Sequence, residues 1–317
     1  MVGVRGIHHV TAIAGDPQQN LGFYAGVLGM RLVKRSVNQD DPFTYHLFFA
    51  DADGHPGTDL TFFPSPALPP GAPGVGQIVE VALAVPPGSL PFWQERLQRA
   101  SVELAGPQSR FGEAALAFRD PHGLPVCLVE SESALRRPFT PWQRGPVPAE
   151  RQVRGLHSVR LWVRRLAPSV ELLQHALGFR PAGEEDGWHR LAVEDGGSGC
   201  LVDLKELPAH RPGWWGAGSI HHVAWRVADE AEQQAVRAQA EQAGCRPTPV
   251  VDRFWFRSVY FREPGGVLYE LATDGPGFAT DEPVERLGER LVLPPWLEAR
   301  RQAIERALPP LRLPRWS

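Results

Sequence analysis

The chain has little cysteine and little methionine, with three and two of these residues among 317. Cys127, Cys200 and Cys245 are far apart in the sequence, and no two of them form a C-x-x-C pair. This usage argues against a disulfide framework and against a zinc site built from thiolates. It also suits a reducing compartment, and we therefore expect a cytoplasmic protein.

The sequence also lacks a strong charge of one sign and long apolar runs. The formal net charge is −3, which gives no reason to expect nucleic acid or an acidic membrane surface as a partner. No apolar run approaches the roughly 20 residues that a membrane-spanning helix needs. The first residues do not have the profile of a signal peptide. We therefore expect neither nucleic acid nor a membrane as a partner.

Glycine and proline are abundant, at 32 residues each, and they cluster between runs that are typical of strands. These runs repeat, so that the chain contains four copies of one unit, each with a strand, a helix and then more strands. A proline-rich stretch divides the copies into pairs. The predicted divisions are an N-terminal pair at 1–136, a linker at 137–152, a C-terminal pair at 153–274 and a tail at 275–317.

The apolar periodicity gives the bounds of the individual elements. In the first copy it predicts a helix over residues 17–27, and in the second copy it predicts a short strand at 102–104. In the tail it predicts a helix over 296–307, which either caps a cavity or makes a dimer contact. The sequence leaves open whether the protein is a homo-oligomer.

One short string occurs twice, as Ile7-His8-His9-Val10 and as Ile220-His221-His222-Val223. Both copies lie in strand-like runs at the start of a repeat. Because side chains alternate between the two faces of a strand, we expect only one histidine of each pair to point at a shared centre. By the same alternation, Thr11 shares a face with His9.

A third strand-like run, at 267–272, carries one carboxylate, Glu270, among apolar residues. Burying a lone ionised carboxylate is costly, and a divalent metal would remove that cost. Two histidines and one carboxylate with open positions are the arrangement of non-haem Fe(II) oxygenases. The alternatives are hydrogen-bonded core histidines and a glutamate that faces solvent. The recurrence of the double histidine at one place in the repeat favours a metal.

The other copies do not carry this set of ligands. The third copy has Ser158 where the fourth has His222, and the first copy ends in Leu60-Thr61-Phe62 without a carboxylate. The chain therefore has one complete set, His9, His222 and Glu270, and we expect one metal.

Arginines and aromatic residues alternate over 252–262, just before the strand of Glu270. Arg253 and Tyr260 are candidates to donate hydrogen bonds to a phenolate or to polarise bound oxygen. The alternative is a strand of packed aromatics with arginines at the surface. Trp214 and Trp215 precede the second histidine pair and are candidates for the wall of a site for a planar substrate, with ordinary core packing as the alternative.

Taken together, these strings resemble the vicinal-oxygen-chelate superfamily of glyoxalases, bleomycin-resistance proteins and dioxygenases. Within it, the chain is similar to the ring-cleaving dioxygenases that open hydroquinones. The resemblance covers nearly the whole chain, and its most specific segments are residues 7–11, 15–20, 45–51, 57–58, 220–224, 252–253 and 258–270.

The resemblance implies an α+β fold of four βαβββ modules in two tandem halves, whose curved mixed sheets surround a metal-containing cavity. It implies that the second histidine of each pair, His9 and His222, binds Fe(II) together with Glu270, and that O2 is the co-substrate. Mn(II) suits the same ligand set. The implied reaction is extradiol-type cleavage of a hydroquinone or a related dihydroxy-aromatic compound.

The resemblance implies that His8 and His221 either contact the metal ligands or line the substrate pocket. For the mechanism, our hypothesis is that His8, His221 or Tyr260 moves protons, because neutral imidazole can donate or accept near neutral pH. Arg253 would stabilise developing negative charge, and Thr11 would line the pocket together with Arg253 and Tyr260.

Two other functions fit the same fold. A glyoxalase-type isomerase or a thiol transferase is one alternative, but glyoxalase-type sites usually add a second carboxylate, and the first copy has Leu60-Thr61-Phe62 at that position. A non-catalytic protein that binds an aromatic compound is the other alternative, but such proteins lack the metal set that this chain retains.

Overall fold

The computed structural model describes residues 2–314. Within this range each of four modules has one strand, one α-helix and three further strands, and a last helix follows the fourth module. The elements are β1 Ile7–Ala14, α1 Pro17–Leu21, β2 Arg31–Val37, β3 Tyr45–Ala50, β4 Asp59–Pro64, β5 Gln77–Val85, α2 Leu90–Arg99, β6 Leu104–Arg110, β7 Glu113–Arg119, β8 Pro125–Glu130, β9 Gly155–Val163, α3 Leu166–His175, β10 Arg180–Glu185, β11 Trp188–Ala192, β12 Leu201–Glu206, β13 Ser219–Val227, α4 Glu230–Gln242, β14 Val251–Asp252, β15 Phe256–Arg262, β16 Leu268–Pro276 and α5 Arg301–Ala307.

The strands form two mixed eight-stranded sheets. One has the order β14-β15-β16-β13-β1-β4-β3-β2 and joins module four to module one. The other has the order β10-β11-β12-β9-β5-β8-β7-β6 and joins module three to module two. The predicted α+β fold of four βαβββ modules is confirmed, and each sheet takes one module from either side of the proline-rich linker.

The antiparallel pair β1–β13 joins modules one and four at the centre of the first sheet. All eight residues of β1 are buried. Val10, Ala12 and Ala14 belong to the main hydrophobic core, and the alternate residues His9 and Thr11 face the other side of the sheet. Burial on both sides explains why this strand shows no polar–apolar alternation in the sequence.

Two predicted elements of the N-terminal half have different bounds in the structure. The helix predicted over 17–27 is α-helical only in α1 and continues as a π-helix over Gly22–Val27. The strand predicted at 102–104 instead forms β6, an exposed edge strand. Gly106 and Pro107 lie inside β6, and because both residues are unusual in strands the sequence did not predict a strand there. Proline is tolerated at this position because an edge strand lacks a partner on one side.

The tail after β16 runs along β2, the free edge of the first sheet. The backbone N–H of Val292 donates to the carbonyl of Arg35, and Arg31 donates to the carbonyl of Leu287. The helix predicted over 296–307 is a 3₁₀-helix over Pro295–Arg300 that becomes α-helical in α5. The tail therefore covers an edge that would otherwise expose unpaired backbone groups.

No helix within residues 2–314 combines the length and the apolar character that crossing a membrane requires.

Candidate metal centre

His9, His222 and Glu270 come together on the face of the first sheet opposite the hydrophobic core. His9 Nε2 and His222 Nε2 are 3.3 Å apart, and Glu270 Oε2 lies 3.3 Å from the first and 2.9 Å from the second. All three side chains are buried. Three neighbouring strands supply them, because β1, β13 and β16 are consecutive in the sheet.

These spacings fit one metal ion. Two ligands at right angles on an ion with bonds of about 2.1 Å lie about 3.0 Å apart. The three observed separations cluster around that value, and among the described residues this is the one group of three or more histidine, cysteine or acidic side chains that converges in this way. Two imidazoles and one carboxylate would leave other positions of a bound ion open to further ligands.

Glu270 supplies independent support for this fit. Its Oε1 accepts a hydrogen bond of 2.5 Å from Ser258 Oγ, whereas its buried Oε2 faces the ring nitrogens of His9 and His222. Burial alone would raise the pKa of Glu270, but these two histidines hold that pKa well below its usual range. A buried carboxylate oxygen that stays charged and faces two imidazole nitrogens completes a compact set of three donors for a cation.

The first histidine of each pair contacts the second. His8 Nδ1 lies 2.9 Å from His9 Nδ1, and His221 Nδ1 lies 2.8 Å from His222 Nδ1. Only the second histidine of each pair belongs to the converging group, as expected, but the two rings of a pair do not lie on opposite faces of the sheet. The β1–β13 register shifts at both pairs, because bulges leave one histidine of each without a cross-strand partner and re-aim the side chains.

These contacts orient the candidate ligands. Burial, reinforced by the neighbouring histidine, lowers the pKa of both His8 and His221 to about 3, so both rings are neutral at pH 7. A neutral ring can accept the Nδ1–H of the adjacent imidazole, which leaves the Nε2 lone pair of His9 and His222 free for a metal. Hydrogen bonds to the remote nitrogen commonly fix metal-binding histidines in this way.

A cavity of about 300 Å³ opens over the three side chains. Both aromatic and polar side chains line it. The lining residues are His9, Asn38, Gln39, Asp40, His46, Phe48, Phe63, His221, His222, Arg253, Trp255, Phe256, Tyr260, Leu268 and Glu270.

Arg253 and Tyr260 lie together in this cavity. The Arg253 guanidinium forms hydrogen bonds of 3.0 and 2.8 Å with the Asp40 carboxylate, and its Nε donates to the Tyr260 hydroxyl at 3.2 Å. Burial, with Glu270 nearby, raises the pKa of Tyr260, so its hydroxyl remains protonated at neutral pH. Arg253 donates to the Tyr260 hydroxyl oxygen, so the hydroxyl can donate its own proton to a bound molecule.

The other predicted pocket residues lie further from the metal centre. Thr11 is fully buried beneath the cavity floor, where its Oγ1 lies 2.8 Å from Thr61 Oγ1. The Trp215 ring packs 4.5 Å from the His221 ring, at the cavity edge. The structure does not bring Trp214 to the cavity, because its backbone pairs with Ala72 in a loop and its side chain is half exposed.

Sequence reasoning missed much of the cavity lining. His46 and Phe48 both face the cavity from β3, and Trp255 and Phe256 line it from the start of β15. Asp40, in the loop between β2 and β3, reaches Arg253 across the modules. The two-residue alternation of His46 and Phe48 was the available signal for a shared face, but nothing in the sequence indicates that this face is concave.

Thr61 occupies the position in module one that Glu270 occupies in module four. His9 and His222 are equivalent residues of the two modules. Two positions after His9, Thr11 has Thr61 as its cross-strand neighbour, and two positions after His222, Ala224 has Glu270. The second carboxylate that a glyoxalase-type site usually adds is therefore replaced by a hydroxyl group. The expectation from the sequence at Leu60-Thr61-Phe62 agrees with this register.

The second sheet holds ion pairs at the equivalent place. Asp203 is the counterpart of Glu270 in module three, because it pairs with Arg160 two positions after Ser158. Its carboxylate accepts hydrogen bonds from Arg190 at 2.7 and 3.0 Å and from Arg160 at 3.3 Å. Two guanidinium groups thus neutralise Asp203. In the first sheet no guanidinium group plays this part for Glu270 among the described residues, and a metal would take that place.

The Ser258–Glu270 hydrogen bond yields a first prediction. Changing Ser258 to alanine removes the only hydrogen bond to Oε1 among the described residues, and loss of such a partner typically weakens metal affinity by about 10–100-fold. Titration of the apo-protein with Fe(II) or Mn(II) measures the effect. Ser169→Ala is the matched control, because Ser169 donates to the buried Glu263 at 2.6 Å away from the metal centre. Equal metal affinity in the two variants would contradict the prediction.

Comparison with known proteins shows which family the chain belongs to. The family model of the Glyoxalase/Bleomycin resistance protein/Dioxygenase superfamily matches residues 6–128 and 155–271, most of the chain. The chain belongs to this superfamily. The two matched segments correspond to modules one with two and modules three with four.

Two relatives match over nearly their whole length. A Bacillus subtilis protein that bears the provisional name ring-cleaving dioxygenase MhqO is 42% identical over 308 residues, which are 97% of each chain. The chlorohydroquinone/hydroquinone 1,2-dioxygenase of Sphingobium indicum is 34% identical over 313 residues, which are 96% of each chain.

Solved structures of the superfamily agree with this fold. A crystal structure of a Bacillus subtilis protein provisionally described as a dioxygenase has a TM-score of 0.91 and 41% identity, and the match covers 98% of this chain and 99% of that one. Glyoxalase I from Zea mays has a TM-score of 0.62 at 16% identity, with 85% and 92% of the two chains covered. The glyoxalase comparison concerns the fold alone.

Proposed function

We propose that this protein is an Fe(II)-dependent dioxygenase that opens the ring of a hydroquinone or a related dihydroxy-aromatic compound. The observation that carries the proposal is the convergence of His9, His222 and Glu270 at the base of an aromatic-lined cavity. The ligand set matches that of non-haem iron oxygenases. The relative from Sphingobium indicum is named for this reaction on hydroquinones.

His9, His222 and Glu270 would hold the iron, and Mn(II) suits the same two nitrogens and one carboxylate oxygen. When bound, the metal supplies a site where the substrate oxygen and O2 meet and exchange electrons. The reaction breaks one ring C–C bond beside a hydroxyl group, in the extradiol manner, and both oxygen atoms of O2 enter the product. No external reductant is needed, because the ring itself is oxidised.

The protein's own side chains would bind and orient the ring. Phe48, Phe63 and Phe256 give the cavity apolar walls that fit a planar aromatic molecule and exclude water. Phe256 also packs 5.3 Å from the His8 ring and 5.2 Å from the His9 ring. The aromatic wall therefore also restricts the movement of the candidate ligand His9.

Polar groups near the metal would handle charge and protons. Arg253 is fixed by Asp40 and would stabilise negative charge that develops on the substrate oxygens. The Tyr260 hydroxyl would donate a proton or a hydrogen bond at the same place. His221 lines the cavity with a neutral ring whose Nε2–H would donate to a bound molecule, whereas His8 does not line the cavity and would act by holding the Nδ1–H of His9. The three unpaired thiols suit the cytoplasm as the place of this reaction.

Oxygen consumption tests the proposed function directly. Protein loaded with Fe(II) under anaerobic conditions is mixed with methylhydroquinone, and O2 uptake is followed beside a His222→Ala control. We expect about one O2 per substrate in the wild type and no uptake in the control. An iron-loaded wild type that consumes no oxygen with hydroquinones or catechols would reject the proposal and favour an isomerase or a thiol transferase.

Tyr260→Phe gives a second prediction. Loss of the hydroxyl should lower kcat by about 10²–10⁴-fold, which is typical for a positioned acid or base, while the iron content stays at one per chain. Iron is quantified in the same samples as oxygen uptake. The variant keeps the ring, which lies 6.0 Å from His222, so packing is preserved. Unchanged turnover would remove Tyr260 from the mechanism.

A further inference from the structure

His46 lines the cavity, and only one of its two ring nitrogens makes a hydrogen bond among the described residues. Its Nε2 lies 2.9 Å from Thr61 Oγ1, and Thr61 Oγ1 lies 2.8 Å from Thr11 Oγ1. Its Nδ1 has no hydrogen-bond partner among the described residues, although the ring lines the cavity. The ring is held between Phe48 and Phe63, with centroid distances of 3.9 and 4.4 Å. The imidazole is thus fixed in place with one polar atom unsatisfied.

The pseudo-symmetry of the sheet explains why His46 points inward. Tyr260 pairs with Glu270, and Phe48 pairs with Thr61, so that the two strands β15 and β3 are equivalent. Two residues earlier on each strand stand Ser258 and His46. Ser258 reaches Glu270 in module four, and His46 reaches Thr61 in module one by the same geometry.

His46 lies two strands away from the candidate metal ligand His9. The strand order is β13-β1-β4-β3, and His46 is on β3. Neighbouring strands are about 4.8 Å apart, so the backbone of β3 is about 10 Å from that of β1, which carries His9. Both residues line the same cavity together with several aromatic rings, so a bound aromatic ring would lie between them.

Most of the other polar side chains of the cavity are tied to a neighbour or lie beside the metal centre. Arg253 is bound to Asp40 and Tyr260, and the free Nε2 of His221 adjoins the candidate ligand His222. Asn38 and Gln39, in the loop between β2 and β3, each make one side-chain hydrogen bond and keep one polar atom without a partner among the described residues. His46 differs from these two amides because it is on a strand and packs against two aromatic rings, so it is the fixed group available to a hydroxyl that points away from the metal.

We propose that His46 binds the distal hydroxyl of a 1,4-dihydroxy ring and makes the site selective for hydroquinones over catechols. A hydroquinone has its oxygens at opposite ends of the ring, so one can reach the metal while the other reaches His46 Nδ1. The two oxygens of a catechol are on adjacent carbons and cannot reach both groups. This proposal rests on the proposed function, since it assumes that one substrate oxygen lies at the metal.

The threonine pair gives this histidine both hydrogen-bonding modes. When Thr61 donates to Nε2, the proton of the neutral ring is on Nδ1, which then donates to the substrate. When Thr61 donates to Thr11 instead, Nε2–H donates to Thr61, and Nδ1 accepts. Burial lowers the pKa of His46 well below its usual value, so the ring is neutral and can use either mode at pH 7. The site can therefore hold the distal oxygen whether it is protonated or not.

Anaerobic binding of hydroquinone and phenol to the Fe(II)-loaded protein tests the proposal. Phenol lacks the distal hydroxyl, and Trp255 in the cavity wall allows binding to be followed by tryptophan fluorescence. One hydrogen bond corresponds to a preference for hydroquinone of about three- to tenfold in the wild type. We expect His46→Phe to abolish this preference while leaving the Kd of phenol within about twofold. His46→Asn, which can place an amide near the Nδ1 position, should keep part of the preference.

Phe63→Leu is the matched control, because it alters the packing of His46 without removing a polar group. It should weaken both ligands in parallel. If His46→Phe does not fold, His46→Gln serves instead, since it keeps a polar atom near Nε2 but none near Nδ1 and should also lose the preference. A preserved preference, or a parallel loss for both ligands as in Phe63→Leu, would overturn the proposal. Failure of the proposed function has a separate sign, which is a wild type that consumes no oxygen with hydroquinone. The two failures can therefore be told apart.

Discussion

Replacing Glu270 by glutamine removes the response of the protein to divalent metal. The neutral amide keeps the shape of the side chain and can still accept from Ser258, but it withdraws the one negative charge among the three candidate ligands. A metal at about a thousandfold excess over its Kd adds about 4 kcal/mol to the free energy of unfolding of the wild type. We expect that gain to disappear in Glu270→Gln, together with oxygen uptake.

The same variant separates a metal site from a structural ion pair. If Glu270 served the fold alone, its replacement would lower the stability equally with and without metal. His9 and His222 already stabilise the charged carboxylate in the metal-free protein, so we expect Glu270→Gln to be less stable there, and a metal site adds a second effect, the loss of the extra stability that metal gives the wild type. Thermal unfolding with and without Mn(II) under argon measures both effects.

Glu263→Gln is the matched control for this experiment. Glu263 is also a buried glutamate near the turn between β15 and β16, but its oxygens accept from Ser169 and from the backbone N–H of Val267. We expect this variant to keep the full metal response, because Glu263 is not part of the converging group. A Glu270→Gln protein that still gains stability from metal would show that the ion binds elsewhere.

The sequence predicts the architecture well because the fold is repeated. Four copies of one pattern made the module count and the position of each helix visible without a structure. The bounds failed where local chemistry departs from the pattern, as in β6, where Gly106 and Pro107 weaken the strand signal of an exposed edge. The resemblance implied only that His9 of module one and His222 and Glu270 of module four meet at one metal. That module one shares a sheet with module four was not predicted, since nothing in composition or spacing says which modules share a sheet.

The metal ligands were predictable for a different reason than the pocket. His9 and His222 stand out because an identical string recurs, and Glu270 because a carboxylate is rare inside an apolar strand. His46 gives no such signal, since one histidine between Tyr45 and Leu47 is equally typical of a packed strand. The strand rule also failed at His8 and His221, because bulges set the direction of these rings and a bulge has no sequence mark here.

Replacing Lys34 by methionine should destabilise the protein by about 3–5 kcal/mol, the usual cost of leaving buried charges without their partner. The Lys34 ammonium is fully buried and donates to Glu282 at 2.6 Å, to Asp281 at 2.7 Å and to the Phe278 carbonyl at 3.1 Å. These hydrogen bonds fasten the tail to β2. Urea unfolding at pH 7 measures the loss.

A double variant tests whether the loss comes from unpaired charge. In Lys34→Met with Glu282→Gln the most deeply buried carboxylate of the cluster is gone, so we expect part of the stability to return. Arg286→Ala is the control for an ordinary ion pair, since Arg286 and Glu289 are both exposed, and such pairs contribute about 1 kcal/mol or less. A loss in Lys34→Met no larger than in Arg286→Ala would contradict the prediction.

The Lys34 cluster also connects the tail to the candidate site. Asp281 accepts from Trp255 Nε1 at 3.2 Å as well as from Lys34, and the Lys34 ammonium lies 5.4 Å from the centre of the Trp255 ring. Trp255 is in turn part of the cavity wall. Lys34→Met should therefore weaken binding of an aromatic ligand while leaving metal affinity unchanged, because none of the three candidate ligands contacts the cluster. An equal loss of both would instead mean that the whole sheet has loosened, and it would remove the tail from the description of the substrate site.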